Sequence, residues 1–122
     1  MATNTCACGE EREYTELEVN EEFAKLRGWE LATINNVKKL RRCFVCKNWK
    51  AAIDYINKAS VVAENCQHHP DIALTSYRNI EVLIYTHTNS TITRRDFELA
   101  QCLTPLEVEY SPKWATENPD LI

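Results

Sequence analysis

Glycine is scarce in this 122-residue chain: Gly9 and Gly28 are its only two. A loop that cradles phosphates needs several closely spaced glycines, so nucleotide-binding loops of that type are excluded. Nowhere does an apolar run approach the length that spans a bilayer as a helix. Met1 to Tyr14 is polar and acidic and lacks the apolar stretch of a secretory leader, so the expected location is the cytoplasm, with access to the nucleus. Basic residues are outnumbered, 14 against 18 acidic, giving a net charge of −4. That balance argues against general binding to nucleic acid or to an anionic membrane. No internal repeat stands out. Histidine is scarce as well, yet its three copies, His68, His69 and His87, all fall in one stretch between Glu64 and Asp96.

That concentration is the chemical signal. Imidazole has an unperturbed pKa of about 6.5, within the working range of proton transfer. Pro70 disfavours helical geometry at His69, so a helix entering this stretch is predicted to end near Gln67. Glu64 then sits in the last turn, where the negative end of the helix dipole repels a carboxylate and calls for a partner. The simplest partner is His68, four residues on. Such a contact would orient the imidazole and raise its pKa. A polar loop with a helix-capping histidine is the plainer reading of the same seven residues.

The remaining pattern predicts an α+β chain in the order α-β-β-α-β-β-α, with a four-stranded antiparallel sheet and helices on one face. Asn20 can cap a short helix through Arg27, and Gly28 can stop it. Trp29 to Ile34 and Lys38 to Cys46 read as strands around an Asn35–Asn36 turn. Residues 48–67 carry a helical stripe of Trp49, Ala52, Ile53, Ile56, Ala59 and Ala63. Ile72 to Tyr77 and Ile80 to His87 read as a second strand pair turning at Arg78–Asn79. Thr93-Arg94-Arg95-Asp96 reads as a capping box for the last helix, which gives Asp96 a structural role. Ser111 to Ile122 reads as a surface tail. The domain is predicted to span 19–104, with a polar arm over 1–18 and an extension over 105–122.

Six cysteines are present: Cys6, Cys8, Cys43, Cys46, Cys66 and Cys102. In a cytoplasmic chain they are expected as free thiols. Cys43 and Cys46 have the spacing of a zinc or redox pair. Three positions apart on a strand, however, they point to opposite faces and cannot share one metal without a bend. A zinc set of His68, His69, His87 and Cys66 is a separate possibility, disfavoured by the Pro70 geometry.

The ordered series Glu64, His68-His69-Pro70, Tyr77, His87 and Asp96 resembles the signature of the pterin-4a-carbinolamine dehydratases. Gly28-Trp29-Glu30-Leu31, Leu40-Arg41-Arg42 and Thr86-His87 add to the resemblance, which covers residues 19–104. It implies the same four-stranded architecture, a homodimer or homotetramer, and no metal or other cofactor. The implied activity is dehydration of 4a-hydroxytetrahydrobiopterin to the quinonoid dihydropterin, which recycles the pterin used by aromatic amino-acid hydroxylases. By this resemblance His68 and His87 form the acid–base pair, His69 positions the ring, and Glu64 orients a histidine. Pro70, Thr86, Thr88 and Asn89 join the histidines as substrate-binding residues, and Tyr77 and Asp96 support the wall. Relatives that stabilise dimers of a transcription factor imply a second possible role, as a binding module.

Overall fold

The computed structural model describes residues 13–86 and 91–122. The first helix, α1, runs Glu16–Phe23 with Thr15 as its cap, five residues earlier than Asn20 suggests. Thr15 and Glu18 form a reciprocal capping box, the Glu18 amide donating to Thr15 Oγ1 (3.2 Å) and the Thr15 amide to Glu18 Oε1 (2.9 Å). Two orphan amides satisfied at once outweigh the single cap that Asn20 could offer. Gly28 follows at φ +86°, and a Cβ there would meet the Leu121 carbonyl oxygen at 2.7 Å. Both the left-handed backbone and the close approach require glycine.

Strands β1 (Glu30–Ile34) and β2 (Val37–Val45) form a hairpin across Asn35–Asn36. Both asparagines have positive φ, 52° and 65°, the geometry of a two-residue turn matched to strand twist. Helix α2 (Trp49–Cys66) is capped by Asn48, whose side chain accepts from the Ala51 amide at 2.8 Å. Its buried residues are Ala51, Ala52, Tyr55, Ala59, Val62, Ala63 and Cys66, whereas Trp49 is 56% exposed. The apolar stripe in the sequence shares Ala52, Ala59 and Ala63 with that face, and the buried Tyr55 and Val62 shift its centre away from Trp49.

Strands β3 (Asp71–Thr75) and β4 (Asn79–Ile84) form the second hairpin. Its turn is Ser76-Tyr77-Arg78, not Arg78–Asn79: Ser76 and Tyr77 take positive φ and end β3 at Thr75. Helix α3 (Arg94–Leu103) starts at the predicted Thr93–Asp96 capping box. The strand order is β1-β2-β4-β3, all neighbours antiparallel. Alternation then explains the layering. Leu40, Arg42 and Phe44 of β2 and Ile80, Val82 and Ile84 of β4 are buried beneath the helices in one core. On the opposite face Arg41 bridges Glu30 of β1 and, at 2.7 Å, Glu81 of β4.

The segment after α3 is not a bare surface tail. Tyr110 bridges to Cys46, and the Ser111 amide donates to the Val45 carbonyl (2.9 Å), which extends the pairing of β2. Helix α4 (Pro112–Glu117) follows, stacking Trp114 on Tyr110, while Tyr110 meets Phe44 edge-on and accepts from Arg42 at 2.8 Å. Arg27 holds the Ile122 carbonyl. Cysteine usage also differs from expectation. Cys66 and Cys102 are disulfide-bonded, and Cys43 and Cys46 are free. Among the described residues no helix is long and apolar enough to cross a membrane.

Candidate active site

The exit of α2 builds the site. The helix closes at Gln67, which adopts a left-handed conformation (φ 55°, ψ 36°), and the His68 amide reaches back to the Ala63 carbonyl at 3.3 Å. This closure satisfies orphan carbonyls and reverses the chain. The reversal sends the next two side chains in opposite directions, His68 inward and His69 outward.

His68 is buried, and its Nε2 lies 2.5 Å from Asp96 Oδ1. Asp96 is fully buried at the N-terminus of α3. Its other oxygen, Oδ2, accepts from the Thr93 amide at 2.7 Å and from Thr86 Oγ1 at 2.8 Å. Thr86 and Thr93 are hydrogen-bonded to each other at 2.8 Å. Three elements thus converge on one carboxyl group: the exit of α2, Thr86 two residues beyond β4, and the first turn of α3. A carboxylate only accepts hydrogen bonds, so Nε2 of His68 carries the hydrogen and Nδ1 of the neutral ring keeps the lone pair. That tautomer makes Nδ1 the proton-accepting atom.

His69 Nε2 lies 2.5 Å from Glu64 Oε2, with both side chains more than half exposed. The expected Glu64–His68 contact is therefore replaced by Glu64–His69. The left-handed Gln67 turns His69, not His68, back over the last helical turn. In water such a pair contributes little stability, about 0–1 kcal/mol, and its value lies in orienting the ring. Beside His69, Pro70 and Ile72 line an apolar groove of about 320 Å³ with Ile56 and Ala63 of α2.

The other expected residues separate clearly. Asp96 does form its predicted capping box, and it also partners His68, which the cap alone did not reveal. Thr86 is buried against Asp96. Tyr77 sits at the β3–β4 turn, 57% exposed, with the whole of β3 between it and His68–His69. His87, Thr88 and Asn89 lie outside the described residues. Cys66 is disulfide-bonded and offers no thiolate to a zinc set with the histidines. No pattern in the sequence marks Arg95 as part of the site, yet it donates to the Gln67 carbonyl at 2.5 Å.

The sequence profile of the pterin 4 alpha carbinolamine dehydratases matches residues 12–105. The chain belongs to that family. Among its relatives is the Arabidopsis thaliana protein named pterin-4-alpha-carbinolamine dehydratase 2, mitochondrial, 33% identical over 104 residues. That match covers 85% of this chain and 56% of the Arabidopsis protein. A Sulfurisphaera tokodaii relative whose name carries the same dehydratase is 34% identical over 95 residues, covering 78% of this chain and 97% of its own. A crystal structure of a Brucella melitensis protein, described as a transcriptional coactivator/pterin dehydratase, has a TM-score of 0.66 at 27% identity. It covers 75% of this chain and 95% of the Brucella chain. Pterin-4a-carbinolamine dehydratases are hydro-lyases.

Proposed function

We propose that this chain dehydrates 4a-hydroxytetrahydrobiopterin to quinonoid dihydrobiopterin by histidine acid–base catalysis, recycling the pterin of aromatic amino-acid hydroxylases. The observation that carries this reading is the buried His68–Asp96 pair, 2.5 Å apart, within a chain of the dehydratase family. The reaction breaks the C4a–O bond, adds a proton to the departing hydroxyl and takes the proton from N5, so that C4a=N5 forms and water leaves. One imidazole must give a proton and another must accept one near neutral pH. His68 and His87 share that work. Asp96 orients the His68 ring. His69, oriented by Glu64, positions the flat ring beside the apolar groove next to Pro70. Homodimers or homotetramers fit the two sheet edges, β1 and β3, that the strand order leaves for further pairing. A cytoplasmic or nuclear location remains part of the reading.

The test is steady-state dehydration of 4a-hydroxytetrahydrobiopterin, followed by its ultraviolet change. His68→Gln, which keeps a donor toward Asp96, should lower kcat by about 100-fold with the circular dichroism of the wild type. A wild-type protein without acceleration would refute the dehydratase reading, and a near-normal kcat in His68→Gln would remove His68 from the proton path. The alternative role, dimerisation cofactor of a transcription factor, draws support from the Brucella relative only in that the latter is described as a transcriptional coactivator. Capture of a regulator by His68→Gln as well as by wild type would support a binding role separate from the chemistry.

A further inference from the structure

Two successive residues of α3 hold two successive residues at the exit of α2. Asp96 takes the ring of His68, and Arg95 takes the main chain just before it, through Nη2 to the Gln67 carbonyl at 2.5 Å. That carbonyl belongs to the peptide unit joining Gln67 to His68. The N–H of the same unit donates to the Ala63 carbonyl at 3.3 Å. Both polar atoms of one peptide plane are therefore held, one by α3 and one by α2.

The clamp sits at the left-handed residue that closes α2. Gln67 is a non-glycine residue in the left-handed region, a conformation that persists only when its surroundings over-determine it. The plane of a peptide unit sets the direction in which the next Cα–Cβ bond leaves the chain. A rotation of the Gln67–His68 plane would swing the His68 imidazole off Asp96 Oδ1. The bond from Arg95 is charge-assisted and so stronger than one between neutral groups. The flanking Arg94 is engaged elsewhere, by Glu98 at 2.7 Å.

We infer that Arg95 is a positioning residue of the dehydratase site: it clamps the Gln67–His68 peptide and so fixes the His68 imidazole against Asp96. Its kinetic consequence rests on the dehydratase reading, but the clamp itself does not. The experiment pairs two readouts on Arg95→Ala, Arg95→Gln and Arg95→Lys. Ring ¹H and ¹⁵N resonances of His68 report its tautomer and setting without any substrate. Steady-state dehydration separates kcat from KM. In Arg95→Ala and Arg95→Gln the His68 ring resonances should shift and broaden. Their kcat should fall by about tenfold or more with KM within about twofold, as misplacement of a proton-transfer group predicts. Arg95→Lys, which keeps a cationic donor, should recover most of kcat and a wild-type His68 spectrum. Unchanged His68 resonances in folded Arg95→Gln would overturn the inference. So would a Lys variant as impaired as the Ala variant. If Arg95→Ala fails to fold, the Gln and Lys variants decide alone. Shifted His68 resonances in a protein without dehydratase activity would keep the clamp and reject only the function assigned to it.

Discussion

At Asp96 one carboxylate oxygen faces His68 while the other closes the first turn of α3. The two tasks separate by substitution. In Asp96→Asn an amide oxygen can still accept from the Thr93 amide, so the cap survives. The carboxylate that holds the His68 ring is gone. The expected outcome is a fall in kcat of about 100-fold with the wild-type circular dichroism. Asp96→Ala should lose about 1 kcal/mol more in thermal melts, because it also removes the cap. An Asn variant with near-normal turnover would return Asp96 to a purely structural role. At this scale the sequence was half legible. Thr93-x-x-Asp96 shows the cap, because capping is local. The Asp96–His68 contact joins residues 28 apart in the chain, and no periodicity encodes it. The exchange of Glu64 from His68 to His69 turns on one left-handed residue, Gln67, where a glycine would have signalled the turn.

Between elements, the packing of α2 on β2 carries its own pH response. Burial raises the Tyr55 hydroxyl from 10.0 to about 12, and raises the Cys46 thiol from 9.0 to about 11. For both groups the folded chain holds the proton more tightly than the unfolded chain. Their contribution is thus complete below pH 9 and is lost as pH rises through 11 for Cys46 and 12 for Tyr55. Thermal melts should show Tm falling across that alkaline window, and Tyr55→Phe, which cannot ionise, should flatten the upper part of the fall. An identical alkaline profile in Tyr55→Phe would rule this source out. The strands of this interface were readable as strands, but their facing was not, because the charged Arg42 shares the buried side with Leu40, Phe44 and Cys46. The start of α1 and the exposed Trp49 were not readable either, since a competing cap and a neighbouring Tyr55 decide them by contact.

For the molecule as a whole, the expectation of free thiols fails at Cys66 and Cys102, which close covalent links. Cross-links stabilise mainly by restricting the unfolded chain, typically by about 2–4 kcal/mol each. A dithiol reductant should therefore lower Tm by several degrees, and Cys66→Ser with Cys102→Ser should match the reduced protein and no longer respond. A melt insensitive to reductant in the wild type would contradict the linkage. Cysteine pairing was illegible because compartment, not spacing, decides it, and the docking of Tyr110 and Trp114 because single aromatics carry no pattern. The strand order has one more consequence. The outer pairs, β1–β2 and β3–β4, are hairpins closed by turns of two and three residues, whereas the central β2–β4 pair joins segments separated by all of α2 and β3. Closing that long loop costs chain entropy before any contact repays it. Hairpins and α2 can thus form early from local contacts, and His68 and Asp96, which only the β3–β4 hairpin separates in the chain, can meet before β2 joins β4. During refolding, the helical signal should therefore precede the closing of the sheet between β2 and β4.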